Sequence, residues 1–139
     1  MRKIVCFHLL NDYSGSPKVL RMVLQGLLGQ NNKIDLVTSN GDGALSDLCQ
    51  NGDIRIYKYK YQFSISPVIA LIRYLFVQGY LFFFSFRYLF HPGVLFYINT
   101  ILPVGAALAG RLMGKQVVYH YHENAFAKGA FYKLLAYIM

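Results

Sequence analysis

Ile4-Val5-Cys6-Phe7-His8-Leu9-Leu10, running into Asn11-Asp12-Tyr13-Ser14-Gly15-Ser16-Pro17, is the stretch on which the fold turns. The nearly continuous apolar run suits a parallel strand covered on both faces. The polar loop behind it ends in Ser16-Pro17, a pair suited to capping a helix and opening its first turn. From there Val19, Leu20, Val23, Leu24, Leu27 and Leu28 recur at helical spacing, with Lys18, Arg21 and Gln25 between them, and Gly29 closes the run. A strand, a Gly-containing loop and an amphipathic helix, in that order, open a doubly wound fold.

The rest of the chain repeats the alternation. Lys33 to Ser39 reads as a second strand, Asn40-Gly41-Asp42-Gly43 as a turn, Ala44 to Gln50 as a short helix and Ile54 to Tyr61 as a third strand, at a sheet edge. His91-Pro92-Gly93 breaks the chain. Val94 to Ile98 is then a fourth strand, Asn99-Thr100 caps a helix to about Met113, and Gly114 ends it. Val117 to Tyr121 reads as a fifth strand, with helix from Ala127 onward. The economical architecture is one α/β domain over 1–139: a doubly wound, mostly parallel, Rossmann-like sheet in a three-layer α/β/α arrangement with right-handed crossovers. The last helix carries Phe131, Leu134, Leu135 and Ile138 on one stripe and reaches Met139 without Gly, Pro or a polar cap, so a longer protein is expected to continue there.

Composition separates the function classes. Of 139 residues, 55% are hydrophobic and only 14% charged, and the mean hydropathy is +0.34, which excludes a disordered tail or a charge-rich coiled coil. The net charge of +8 comes from a shortage of acid: Asp12, Asp35, Asp42, Asp47 and Asp53 precede residue 54, and Glu123 stands alone afterwards. Positive charge beside apolar runs suits an anionic lipid surface and not a nucleic acid, which calls for dense Lys and Arg on polar faces. Cys6 and Cys49 make no disulfide framework, and a reducing, cytoplasmic compartment fits. Met1-Arg2-Lys3 before the first apolar run imitates a signal peptide, but the run is short and has no small-residue cleavage site, so it reads as strand.

The excess grease has one address. Ser64, Ser66 and Pro67 announce a helix, and Val68 to Phe90 is apolar on almost every side. Its charges are Arg73 and Arg87, about 40° apart around a helix axis at roughly 100° per residue. The charge-free run between them, Tyr74 to Phe86, is shorter than a transmembrane span requires. The aromatic side chains between Phe63 and Phe90 exceed what one face of a small sheet hides, so segment 64–90 is expected to lie in a membrane interface, with a buried helix or a true span as the alternatives.

In a doubly wound sheet, ligands bind beyond the carboxyl ends of the strands. The first such loop holds Ser14, Gly15 and Ser16, where Gly15 permits close backbone approach and the following helix offers N–H groups and a positive dipole end. Spaced glycines of the dinucleotide fingerprint and the Lys-Ser or Lys-Thr of a Walker loop are missing, so a capped turn without ligand is the plainer alternative. The second is Tyr119-His120-Tyr121-His122-Glu123-Asn124. One histidine of the pair is expected in the sheet and the other at the strand end, able to exchange a proton or bond a sugar hydroxyl. Glu123 suits a ligand hydrogen bond or the orientation of His122. A metal is not expected, since no third or fourth ligand follows at recognisable spacing. His8, inside the first strand, and His91, at a helix stop, read as structural.

With Ser14-Gly15-Ser16-Pro17, the strand Lys33 to Ser39, the strand end Asn99-Thr100 and the run Val117-Val118-Tyr119-His120-Tyr121-His122-Glu123 in hand, the chain resembles the N-terminal domain of family 4 glycosyltransferases over nearly its whole length. These are retaining enzymes of the two-domain GT-B architecture that use nucleotide-sugar donors, so the resemblance implies half of a GT-B fold. It implies that Ser14, Gly15 and Ser16 lie against the donor diphosphate, although the family usually carries a Gly-Gly pair where this chain has Gly15-Ser16. It further implies catalytic contacts from His122 and Glu123 and sugar or acceptor contacts from Asn99 and Asn124, with no metal and no cofactor beyond the donor. The family's C-terminal domain, with its basic pair and paired glutamates, has no counterpart within these residues.

The expected function is therefore the acceptor-side half of a retaining glycosyltransferase that moves a sugar from a nucleotide sugar to a polysaccharide or lipid-linked glycan, with little activity alone. Its expected partners are that donor and acceptor, the membrane surface through 64–90, and a C-terminal domain or separate donor-binding chain. It is expected to sit peripherally on the cytoplasmic face of the cell membrane. Two other readings stay open: a noncatalytic membrane-associated subunit that recruits a donor-binding chain, and a Rossmann-like small-ligand module.

Overall fold

The computed structural model describes residues 2–121 and 129–138. Strands β1 (Lys3–Phe7), β2 (Lys33–Ser39), β3 (Ile54–Tyr59), β4 (Leu95–Asn99) and β5 (Gln116–His120) form one sheet in the order β3-β2-β1-β4-β5. Every pairing is parallel, with Ile4 opposite Ile34 and Leu95, and Asn99 opposite His120. Helices α1 (Gly15–Gly29), α2 (Pro67–Ser85), α3 (Val104–Leu112) and α4 (Ala130–Ile138) complete the described elements, with a 3-10 turn at Ser46–Asn51. This is the Rossmann-like α/β fold expected from the sequence.

Strand alternation sorts the core into two layers. Ile4, Cys6, Ile34 and Leu36 face Leu20 and Leu24 of α1 together with Leu45 and Leu48. On the other face, Val5, Phe7, Val37, Phe96 and Ile98 lie beneath Tyr74, Val77 and Leu81 of α2, Val104 and Ala107 of α3, and Leu135 of α4. Each of the large side chains in these layers stabilises the fold by roughly 1.5–3 kcal/mol when fully buried. Burial and the nearby Asp35 carboxylate push the Cys6 thiol up, so it is an inert core group.

Two contacts hold α2 in place, one to α3 and one to the sheet. At its middle, a Cβ on Gly105 of α3 would stand 2.1 Å from the Gln78 carbonyl oxygen, so only glycine lets the helices approach this closely. Gly105 N donates to Gln78 Oε1 there at 2.9 Å. Beyond its end, the Tyr88 hydroxyl donates to the buried Asp35 carboxylate at 2.6 Å, and Lys3 pairs with the same oxygen at 2.9 Å. Burial and Asp35 push the Tyr88 hydroxyl well above the usual tyrosine range. The outward face of α2 is open: Leu75, Phe76 and Phe83 are 59%, 77% and 74% exposed.

Several boundaries differ from the sequence expectation. β1 ends at Phe7 and not Leu10, and β3 at Tyr59 and not Tyr61; past the end of β1, Leu9 O accepts from the Tyr59 hydroxyl at 2.6 Å. The expected helix over Ala44 to Gln50 is the later 3-10 turn, held by Asn11 as described below. Asn99-Thr100 does not cap α3. Asn99 ends β4, Thr100 turns the chain at φ 69°, and Pro103 precedes the helix with no side-chain cap. Helix α1 starts two residues before Pro17, and its left-handed closing residue is Asn31 at φ 61°, not Gly29. Helix α2 gives way to a 3-10 turn at Phe86–Tyr88, short of Phe90. Gly114 ends α3 as expected, at φ 63° with Lys115 N donating to Gly110 O at 2.9 Å.

Candidate functional site

Strand order reverses between β1, whose connection runs to β2 on one side, and β4 on the other, so the crevice of this sheet opens at the carboxyl ends of β1 and β4. Three features meet there. His8 leaves β1 with its side chain 4% exposed. Asn99, fully buried at the end of β4, sets Nδ2 3.0 Å from His8 Nδ1 and 3.5 Å from Ser16 O at the start of α1. The Asn99 amide nitrogen thus bridges the His8 ring and the start of α1. Thr100, the next residue, is 2% exposed and left-handed, a conformation that strains a β-branched side chain, and its N–H donates to His120 O at 3.0 Å.

The loop from β1 to α1 is shaped by Asn11. Its Oδ1 accepts from Leu45 N at 3.1 Å, its Nδ2 donates to Gly41 O at 2.9 Å and Ser46 Oγ at 3.1 Å, and its own N–H donates to Ser39 Oγ at 2.9 Å. This one buried amide ties the loop after β1 to the loop after β2. The approach is so close that a Cβ on Gly43 would stand 2.5 Å from Asp12 N, so the sequence Gly41-Asp42-Gly43 serves proximity more than turn formation.

Ser14, Gly15 and Ser16 form the start of α1 at the crevice rim. The Ser14 hydroxyl and N–H both donate to the Asp12 carboxylate, so Ser14 steadies the loop and makes no side-chain bond to the helix. A Cβ on Gly15 would meet nothing within 4 Å, and Gly15 is exposed. Its surface is open to a ligand on the side where the helix dipole is positive. Asp12 stabilises this helix end and also opposes a second anion, so the rim alone is a weak phosphate site.

His120, last in β5, joins its Nδ1 to the Tyr97 hydroxyl on β4, which accounts for it as a packed histidine of the sheet. Burial and the neighbouring Cys6 push the Tyr97 hydroxyl up to about 12. His122, Glu123 and Asn124 lie outside the described residues. Among the described residues, no three His, Cys, Asp or Glu side chains gather as a metal site. The structure thus brings Ser14, Gly15, Ser16 and Asn99 to one crevice and adds three residues to which the sequence gives no site role: His8, read there as structural, Asn11, and Thr100, read there as part of a helix cap. His8 follows directly on β1, which ends at Phe7, and the place of Asn11 depends on contacts between loops that are distant in sequence.

No protein-family model matches the sequence, and no curated protein resembles it significantly. Solved structures do. The chain is similar to a glycotransferase of kitacinnamycin, with TM-score 0.61 and 12% identity over 85% of this chain and 30% of that one. It is similar to MurG of Acinetobacter baumannii, with TM-score 0.60 and 16% identity over 99% of this chain and 39% of that one. A UGT transferase from Siraitia grosvenorii in complex with UDP superposes with TM-score 0.62 and 8% identity over 89% of this chain and 29% of that one. The chain therefore spans about a third of the length of these proteins, and its five-stranded parallel sheet has the Rossmann-like fold of a GT-B glycosyltransferase domain.

Proposed function

We propose that the chain is the acceptor-side half of a retaining glycosyltransferase of the family 4 type, transferring a sugar from a nucleotide sugar to a lipid-linked or polysaccharide acceptor. The observation that carries the reading is the crevice: an open Gly15 at a helix start, beside the strained Thr100, in a sheet shaped like a glycosyltransferase domain. The complex with UDP of one similar structure supports a nucleotide-bearing donor. Backbone amides of Gly15 and Ser16 would face the donor diphosphate and stabilise charge developing on the leaving group. Asn99 holds Ser16 and His8 in place for this. His122, supported by Glu123 and Asn124, would contact the reacting sugar or the acceptor hydroxyl, and no metal is required.

A second Rossmann-like unit, on the same polypeptide or a separate chain, would supply the other wall and most donor contacts. Segment 64–90 would rest on the cytoplasmic face of the cell membrane, near a lipid-linked acceptor. Support comes from Pro67–Tyr88, 22 residues that include an 18-residue stretch of mean hydropathy 1.7, only 22% of which is buried.

The test is transfer of labelled sugar from UDP- and GDP-sugars to membrane lipid extract, by the chain alone and by its complete two-unit form. The chain alone is expected to be nearly inactive, and His122→Ala in the complete form to lower transfer by at least about a hundredfold. Full rates from the chain alone would refute the half-site reading. Tight binding of a nicotinamide dinucleotide, with indifference to sugar nucleotides, would leave a small-ligand module in its place.

A further inference from the structure

A second cavity lies on the flank of α2. It has a volume of about 680 Å³ and is bounded by Lys58 and Tyr59 at the end of β3, Lys60 to Gln62 just beyond it, Asn40 after β2, and Arg73, Phe76, Val77 and Tyr80 of α2. That is within the range of small-molecule sites. Lys58, Lys60 and Arg73 bring three cations to its rim and no carboxylate lines it. Among the described residues, the ion pairs are Lys3 with Asp35 and Arg21 with Asp47, so none of these cations is neutralised. Arg73 Nη1 donates to Gln62 O at 3.1 Å, using one of its five N–H donors.

The cavity does not end in water. Phe76 and Tyr80 also line an open apolar groove of about 450 Å³ with Ile72, Leu75, Gly79 and Phe83. At about 100° per residue, Arg73, Val77 and Tyr80 mark the flank of α2, and Ile72, Leu75 and Phe83 its outward face. A cationic pocket thus opens directly onto an exposed apolar helix face. A soluble phosphate would use the first and leave the second in water. A phosphate carrying hydrocarbon chains buries both.

We infer that this pocket binds the phosphate headgroup of an anionic phospholipid, with the acyl chains lying against the outward face of α2. The inference rests on the proposed membrane contact of segment 64–90 and gives that contact a chemistry. Lys58 stands in β3 and Lys60 just beyond it, so the headgroup site is a property of the assembled fold and not of an amphipathic helix alone. A bound headgroup would also hold the N-terminal half of α2 at the membrane, with the carboxyl edge of the sheet beside it.

The experiment is flotation of the complete chain with vesicles of phosphatidylcholine, with and without phosphatidylglycerol. It compares the wild type, Lys58→Gln/Lys60→Gln/Arg73→Gln, and a control of equal charge, Lys33→Gln/Arg55→Gln/Lys133→Gln. The substituted residues are all exposed, and circular dichroism verifies folding. The wild type is expected to prefer phosphatidylglycerol vesicles, the pocket variant to lose about a hundredfold of that partitioning, and the control less than about threefold. Equal losses in both variants, or a retained preference in the pocket variant, would overturn the pocket and leave the apolar contact standing. Absence of wild-type flotation with either vesicle would overturn the membrane contact as well. If calorimetry shows glycerol phosphate binding as strongly as the anionic vesicles, the pocket serves a soluble phosphate and the inference fails.

Discussion

Asn99 Nδ2 stands 3.0 Å from His8 Nδ1, joining the carboxyl ends of two adjacent parallel strands whose chains separate just beyond it. Removing the amide would strip a donor from a buried ring and release Ser16 O at the start of α1. Asn99→Leu is expected to destabilise the chain by about 1–3 kcal/mol. Urea denaturation measures this, and a midpoint equal to the wild type would show the pair to be incidental.

At Gly15, stability and function should separate. With nothing within 4 Å of an added Cβ and no positive φ, Gly15→Ala should leave the unfolding midpoint within about 0.5 kcal/mol of the wild type. In the complete two-unit form, the same substitution places a methyl group where the proposed diphosphate approaches, and nucleotide-sugar affinity should fall by about tenfold or more. Calorimetric titration with unchanged affinity would remove Gly15 from the site.

Thr100 offers a test of stored strain. Glycine accepts φ 69° without cost, so Thr100→Gly should leave the chain as stable as the wild type or up to about 1 kcal/mol more stable, despite losing a buried side chain. Thr100→Val keeps the strain and loses the hydroxyl that accepts from Leu102 N, and should be destabilised. Thermal melts that rank the two variants the other way would contradict the assignment of strain.

Two glycines at the α2–α3 region should answer oppositely to alanine. Gly105→Ala drives a methyl into the Gln78 backbone and should cost about 3 kcal/mol or more. Gly79→Ala, within α2 and with no atom in reach of its Cβ, should stabilise by about 0.5–1 kcal/mol through helix propensity. Differential scanning calorimetry of the pair reads both signs.

Alkaline pH should unfold the chain earlier than its carboxylates and amines require. Tyr97 is pushed up to about 12 and Tyr59 and Tyr88 are also raised, all chiefly by burial. A raised tyrosine favours the fold in its neutral form. That stability is fully present below the ordinary tyrosine value of about 10 and is lost as the pH rises toward the folded value. Urea midpoints should therefore fall between about pH 10 and pH 12, and Tyr97→Phe should flatten part of the decline.

Much of this molecule could be read from the order of its residues. The apolar run Ile4 to Leu10, the stripe from Leu20 to Leu28 and the strand Lys33 to Ser39 are local patterns, and a local pattern suffices when a strand or helix face is buried by its own periodicity. The loop Ser14-Gly15-Ser16 was legible for the same reason, since a position after the first strand of a doubly wound sheet follows from topology. What only the tertiary structure decided depends on residues far apart in sequence. Asn99 looked like a helix cap because Asn before a helix commonly is one, yet its partners are His8 and Ser16, 91 and 83 residues away. Asn11 looked like any loop amide until Ser39, Gly41, Leu45 and Ser46 were seen around it. Lys58, Lys60 and Arg73 were scattered charges in the sequence. They form one pocket because β3 packs against α2, Tyr59 on Tyr80 and Tyr57 on Phe84, a relation that composition and periodicity, acting over a few residues at a time, do not encode.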